Sequence, residues 1–185
     1  MPGIRRRLYY IEKVNIVAFP TLGKASDTDQ TMGGMAKLTG NFTLADSKFF
    51  KFIDMKDEAS NATFEPVGEN GSKLFNNQVH AIVSGQADDV KGLARQSINE
   101  DLVFVYQNRD GGFCVLGNEM FETHTSPSGD TGAEATGAIT TTFDIQVYDE
   151  CPVPSYEGEL KLSATEYVDC SDGKVKTYPV EQNPQ

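Results

Sequence analysis

The clearest pattern in the sequence is an alternation of apolar and polar side chains near residue 140. Over residues 139–147 the apolar side chains recur at every second position, so Phe143, Ile145 and Val147 share one face. This period is typical of a half-buried β-strand. We assign the apolar face to the core and expect the other face to meet water or a partner.

A second pattern predicts a β-hairpin over residues 101–117. Two apolar runs, 102–106 and 113–116, flank the turn-forming sequence NRDG at 108–111. Neither run alternates with polar residues, so both faces of the hairpin need cover. The valines Val103, Val105 and Val115 are therefore assigned to the core.

Shorter apolar segments predict further strands over residues 8–19, 36–44, 48–53, 59–67 and 74–83. Pro66 marks the fourth of these as an edge strand, because proline cannot donate to a ladder. Residues 88–98 alone follow the period of an amphipathic helix, with Val90 and Leu93 facing the core and Asp88 or Ser84 as the N-cap.

The segments between these elements define the predicted organisation of the chain. Residues 20–34 and 118–137 are rich in Gly, Ser, Thr and acidic residues and are predicted as exposed loops. The sequence CPVP at 151–154 indicates the end of a domain over residues 1–150, followed by a C-terminal arm or small hairpin over 151–185. The predicted fold is mainly β, an antiparallel β-sandwich or barrel with one flanking α-helix.

Composition narrows the functional classes. The net charge is -11, from 27 acidic and 16 basic side chains, which disfavours a surface that grips a phosphate backbone. No apolar run is long enough to span a bilayer, and none follows the basic start of the chain as in a signal peptide, so we expect the protein to stay in the compartment where it is made. Three cysteines without metal spacing predict free thiols.

Candidate catalytic and metal-binding motifs are weak. The triplet that starts at Asp130 matches that of aspartic proteases, but it lies in a polar loop instead of following an apolar strand. Asp27 and Asp29 have the spacing that begins a calcium loop, but Met32 replaces the turn glycine and the final Glu is missing. His80 and His124 have no recognisable partner. We therefore predict no enzyme activity and no cofactor, with Asp27 and Asp29 as the only metal candidates.

The order of elements resembles the tail-tube proteins of long-tailed bacteriophages and the tube subunits of contractile injection systems. About half of the chain carries this similarity, which extends to major tail and other virion proteins. It lies in GENGSKLFNNQVHAIVSG at 68–85, the helix, the hairpin that ends in Val115-Leu116-Gly117, and TGAITTTFDIQVYDE at 136–150.

The resemblance implies a non-enzymatic structural protein of the virion tail, present in the host cytoplasm during assembly. Six copies would join their sheets edge to edge into a ring, and stacked rings would form a tube through which DNA passes without specific binding. The expected partners are further copies of the chain and other tail proteins, with no membrane. The two long loops would supply the subunit or ring contacts, with candidate residues Thr21, Gly23, Asp27, Asp29, Glu122, Asp130 and Glu134.

Two alternatives remain open. A head-to-tail connector or tail-completion protein would share the β core but form a single ring. A β-sandwich module that binds a glycan or a cation belongs to another class, in which the loops would hold the ligand.

Overall fold

The computed structural model describes residues 2–179, which form mostly antiparallel sheets, with one parallel pair, β4 (Lys37–Thr39) and β13 (Ser155–Tyr156), and one α-helix. This confirms the predicted mainly β fold with one helix. In chain order the elements are β1 (Ile4–Glu12), β2 (Ile16–Ala18), β3 (Thr21–Leu22), β4 (Lys37–Thr39), β5 (Thr43–Leu44), β6 (Lys51–Asp54), β7 (Asn61–Val67), β8 (Leu74–Ser84), α1 (Asp88–Ser97), β9 (Leu102–Asn108), β10 (Phe113–Leu116), β11 (His124–Asp130), β12 (Thr140–Asp149), β13 (Ser155–Tyr156), β14 (Glu159–Lys161), β15 (Glu166–Asp169) and β16 (Lys174–Thr177).

A seven-stranded sheet lies at the centre of the fold, in the order β3-β4-β13-β10-β9-β1-β6. The predicted hairpin is its β9–β10 pair, in which Val115 lies opposite Val105. Successive side chains of β9 point to opposite faces, and those of Leu102 to Tyr106 are all buried. Both faces of the hairpin are therefore covered, as the missing alternation predicted.

A four-stranded sheet in the order β11-β12-β8-β7 covers one face of the seven-stranded sheet. Phe143, Ile145 and Val147 of β12 point into the core between the sheets, where Ile145 lies opposite Val79 of β8. The helix α1 adds Val90 and Leu93 to the same core. All eight side chains assigned to the core from the sequence are buried: Val90, Leu93, Val103, Val105, Val115, Phe143, Ile145 and Val147.

The C-terminal residues cover the other face of the seven-stranded sheet. Strand β13 lies inside that sheet between β10 and β4, and β14, β15 and β16 form a three-stranded sheet. Leu160, Val168 and Cys170 pack with Val103 and Phe113 in a second core. The strands β15 and β16 form the small hairpin expected there, and residues on both sides of 151–154 share one core.

Local predictions differ from the structure at several places. The strand expected over 8–19 ends at Glu12 in a 3-10 turn, where the backbone N–H of Lys13 donates to Asp101 and its ammonium pairs with the same residue. The strand expected over 36–44 is divided into β4 and β5 at Gly40, whose φ of +92° suits glycine. The N-cap of α1 is Ala87, and not Asp88 or Ser84.

Glu12 connects three elements at one end of the seven-stranded sheet. Its carboxylate accepts hydrogen bonds from Lys51 Nζ of β6 at 2.7 Å and Gln96 Nε2 of α1 at 2.9 Å. Burial favours the neutral acid, but these bonds favour the carboxylate more strongly, and the pKa of Glu12 falls to about 2. The group therefore stabilises the fold in its charged form.

Replacing Ile145 by Asp should prevent soluble folding, because it places an unpaired charge in the core between the sheets. The cost is more than about 4 kcal/mol, a large part of the roughly 5–15 kcal/mol that stabilise a typical domain. The matched control is Gln146→Asp, one residue away on the exposed face. Soluble yield and circular dichroism measure both, and an Ile145→Asp protein that melts like the control would show that the face assignment is wrong.

Replacing Glu12 by Gln should lower stability by about 1–3 kcal/mol at neutral pH, through the loss of charged hydrogen bonds. Because folding lowers the pKa of Glu12, its contribution is complete above about pH 4.5 and is lost as the pH falls towards 2. The difference in free energy of unfolding between the two proteins should shrink over this range in urea titrations. A gap that stays constant between pH 7 and 2.5 would contradict this role, and the exposed Glu166→Gln is the control.

Candidate functional site

The four-stranded sheet has two open edges within the part of the chain that the structure describes. Strand β11 pairs only with β12, and β7 pairs only with β8. No backbone hydrogen bond to residues 2–179 is made on the far side of either strand. An open edge presents a row of unpaired N–H and C=O groups that a further strand can use.

Each open edge contains one proline whose nitrogen faces outwards. The backbone N–H and C=O of Ile82 in β8 form hydrogen bonds to the segment before β7, so Ile82 faces β7. Because the bonding direction alternates along a strand, every second residue of β8 from Ile82 hydrogen-bonds towards β7, and the residues between them hydrogen-bond to β12. In β7 this leaves Ala62, Phe64 and Pro66 with their backbone groups directed outwards, and Pro127 has the corresponding position in β11. Neither proline breaks the internal ladder, and the prediction that Pro66 lies on an edge strand is confirmed.

The outer face of the four-stranded sheet, which points away from the core, is polar. Cross-strand partners share a face, so the rows across the sheet follow from the register. One such row contains Ser126, Asp144, His80 and Asn61, and the next contains His124, Gln146, Gln78 and Thr63. None of the chain's 16 Lys and Arg residues lies on these four strands.

Three carboxylates make the outer face negative. They belong to Glu65, Asp130 and Asp144, and the two histidines of the chain lie on the same face. The Asp144 carboxylate contacts Nδ1 of His80, and Glu65 accepts weak hydrogen bonds from Asn76 and Gln78. Ser126 lies opposite Asp144 and not His80, so these three side chains do not form a nucleophile–base pair.

Buried polar atoms without a partner occur in and beside this sheet. Asn76 Oδ1 and Thr125 Oγ1 lie on β8 and β11, and Thr123 Oγ1 lies immediately before β11; none has a hydrogen-bond partner in residues 2–179. An unpaired buried polar atom costs about 1–3 kcal/mol, so such atoms need an explanation. Two of the three lie along the open β11 edge.

The first predicted interface loop is folded onto itself. Thr21 lies in β3, an edge of the seven-stranded sheet, and a Cβ at Gly23 would lie 2.5 Å from the backbone of Gly34. The Asp27 carboxylate accepts the N–H of Lys24 at 2.7 Å, and Asp29 is exposed with a φ of +58°. No group of three potential metal ligands is found among residues 2–179, so Asp27 and Asp29 gain no further ligand there.

The second predicted loop, 118–137, contains the edge strand β11, and its prediction as loop throughout is wrong. Glu122 lies just before this strand and Asp130 is its last residue. The Asp130 carboxylate accepts the N–H of Gly132, as in a simple turn, which gives the protease-like triplet a local role. Glu134 is exposed in the following turn.

The two predicted interface loops lie at opposite ends of β12. Thr21 and Lys24 line an apolar groove of about 290 Å³ together with Met120 and Asp149, at the end of the strand. Glu134 lies in the turn that leads into Thr140, at its start. A ten-residue strand separates these ends by roughly 30 Å.

Sequence patterns did not identify the outer face as a candidate site. The alternation in β12 predicted one polar face, but the register was needed to place His80, His124 and Glu65 beside it. The available signal was the absence of Lys and Arg from the four segments that form this sheet.

No family model, curated protein or solved structure matches the chain. Among the described residues, no helix is long and apolar enough to cross a membrane.

Proposed function

We propose that this protein is a structural subunit of a phage-type tail tube, in which β7 of one copy pairs with β11 of the next. The observation that carries the proposal is a four-stranded antiparallel sheet with two open edges and an outer face free of Lys and Arg. Repeating one contact between unlike edges gives a ring when the rotation closes. The core is complete within one copy, so assembly needs only the edges.

The number of strands suits this closure. In an up-and-down sheet of four strands, the two edge strands run in opposite directions. A rotation about an axis near the strand direction preserves these directions, so β7 meets the neighbouring β11 antiparallel. The alternation of strand direction then continues across every contact between copies. Six copies would contribute roughly 24 strands to one closed barrel, and barrels of 16–18 strands already enclose a water-filled channel.

The covered side of the sheet decides which face lines the channel. The seven-stranded sheet and α1 occupy the core side, so the barrel is expected to curve around the polar outer face. That face presents Glu65, Asp130 and Asp144 without a compensating Lys or Arg. Repulsion between this lining and DNA phosphates would let a duplex slide through without binding.

Ring stacking has candidate surfaces at both ends of β12. The groove beside Thr21 lies at one end and the turn that contains Glu134 lies at the other. Stacking by translation along the channel would bring the turn of one ring towards the groove of the next.

Purified protein is expected to form six-fold rings or tubes in negative-stain micrographs. Thr125→Pro should abolish these assemblies, because the N–H of Thr125 faces the open edge and its loss spares the internal ladder. Circular dichroism melts should show that the variant remains folded. Isolated rings without tubes would favour the connector function, and a chain that remains monomeric at high concentration would contradict both.

Replacing Glu65, Asp130 and Asp144 together by Lys should convert the channel lining into a DNA-binding surface while assembly persists. The expected result is salt-dependent binding of duplex DNA by the variant assemblies and none by the wild type, measured by fluorescence polarisation. The control exchanges three exposed acids elsewhere, Asp46, Asp88 and Glu166, for Lys. Equal DNA binding by both variants would show that the outer face does not line the channel.

The glycan-binding alternative has one supporting observation. A polar depression of about 380 Å³ on the outer face is lined by Asn61, Thr63, Gln78, His80 and Ser126 among others. Amides and hydroxyls of this kind hydrogen-bond sugar hydroxyls. A monomer that binds an immobilised glycan, and loses this binding on Gln78→Ala, would favour that function over the tube.

A further inference from the structure

Phe64 is an exposed aromatic residue at the open edge of β7. It lies on the core side of the four-stranded sheet, opposite Asn77, yet 57% of its surface is accessible. Its only aromatic contact within residues 2–179 is edge-on with Phe75. The ring is therefore more than half exposed at the edge of the sheet, beside a depression that Ile4, Cys114 and Val153 of its own chain also line.

A groove at the opposite edge of the same sheet has suitable chemistry for this ring. It lies between α1 and β11 and has a volume of about 490 Å³. Its lining combines the apolar residues Ala94, Ile98 and Pro127 with polar ones that include Gln86 and Asp130. Ile98, at the end of α1, is 60% accessible although it is apolar. Lys91 and Arg95 line the same groove.

The pairing of the ladders puts the ring and the groove on the same side. Phe64 lies opposite Asn77, which in turn lies opposite Val147 of the core. Pro127 lies opposite Phe143, also in the core. If β7 of one copy extends the sheet at β11 of the next, both residues lie on the core side of the joined sheet.

The lengths of the two strands define a register. Both β7 and β11 have seven residues. Antiparallel pairing over their full length places Asn61 beside Asp130 and Val67 beside His124, and it brings Phe64 opposite Pro127. Both residues have outward-facing backbone groups, which suits a hydrogen-bonded pair in which the Phe64 N–H donates to the Pro127 carbonyl.

The same register is compatible with a closed barrel. Within one copy, Phe64 lies in the same cross-strand row as Val147, and Pro127 lies in the same row as Phe143. Pairing Phe64 with Pro127 of the next copy therefore displaces that copy along the strand direction by four residues for every four strands. This is a shift of about 13 Å over a width of about 19 Å, which corresponds to a strand tilt of about 35°. Closed barrels have tilts of about 35–45°.

Charged side chains also lie beside the two edges. The exposed acids Asp57 and Glu58 precede β7, near the Asn61 end, and both pair with Arg109 of the same chain. In the full register this end lies next to Asp130 of the neighbour, where Lys91 and Thr131 line the groove. The cation of Lys91 and the anion of Asp130 act on the acidic pair in opposite directions, so charge does not select the register.

We propose that Phe64 of one copy inserts into the groove between α1 and β11 of a second copy, against Ile98 and Pro127, and thereby sets the register of the subunit contact. This proposal rests on the proposed ring assembly and assigns a specific anchor to it. Burial of an exposed aromatic ring against Ala94, Ile98 and Pro127, the apolar part of a groove that polar side chains also line, would supply the hydrophobic part of a contact that otherwise consists of backbone hydrogen bonds.

Photo-cross-linking tests the contact directly. A benzophenone side chain placed at position 64 should cross-link to a second copy within residues 91–98 or at Pro127, as identified by mass spectrometry. The control carries the same group at Phe52, which is 45% accessible on β6 of the other sheet. Rings whose position-64 cross-links map to other segments, or do not join two copies, would overturn the anchor and leave the tube proposal intact.

Phe64→Ala should raise the protein concentration needed for assembly by about ten- to a hundredfold, and Phe64→Leu should restore most of the loss. Phe52→Ala is the matched control and should assemble like the wild type. Melting temperatures of the isolated subunits show that the variants fold. If Phe64→Ala assembles at the wild-type concentration, the anchor is wrong; if the wild type itself forms no rings, the proposed function fails instead.

Discussion

The structure depends on a β-hairpin that is apolar on both faces. Side chains of β9 and β10 point alternately to two sides of the seven-stranded sheet, and Phe104 and Val105, which are neighbours in sequence, belong to two different cores. Each face has to be removed from water, so the chain must supply a layer on both sides. The four-stranded sheet and α1 cover one face, and the C-terminal strands with Phe42 and Phe50 cover the other. Residues after Pro154 therefore complete the core that the hairpin requires.

This layering leaves the four-stranded sheet with only one buried face. Its inner positions are mostly apolar because they cover the hairpin, while its outer positions are mostly hydroxyls, amides, carboxylates and two histidines. A polar outer face alone is ordinary for an antiparallel sheet. A surface of four strands without a single Lys or Arg is less ordinary in a chain with 16 of them, because long basic side chains are common on exposed strands. The charge distribution therefore distinguishes this face from the rest of the surface, and together with the open edges it supports a channel lining.

The sequence predicted the elements whose apolar residues have a strong periodicity. It did not predict the elements whose secondary structure depends on pairing with a distant strand. The strand β12 and the helix α1 were predictable because their apolar residues repeat with the period of one buried face. The central hairpin was predictable because its two apolar runs require cover on both faces. The strand β11 was not, because its sequence HTSPSGD contains the residues typical of turns, and only its pairing with β12 makes it a strand. The candidate site includes the edge of β11 and the groove beside it. Because the sequence did not predict β11 as a strand, it could not predict this edge, this groove or the register of a contact there. The predicted contact residues Thr21 and Glu134 are exposed at or near opposite ends of the same strand, a relation that periodicity does not encode.

The two edge prolines limit non-specific pairing at the open margins of the four-stranded sheet. Each proline removes one outward N–H, so a random strand that pairs with either edge forms an interrupted ladder. In the proposed assembly the correct neighbour would have the same interruption but would add a contact that a random strand lacks, between the Phe64 side chain and the groove beside Ile98 and Pro127. Backbone hydrogen bonds would then set the antiparallel direction of the pairing, and the side-chain contact would select the partner strand. If the edges join copies of this chain as proposed, the prolines weaken every pairing by a similar amount, and the difference in side-chain contacts would select one register.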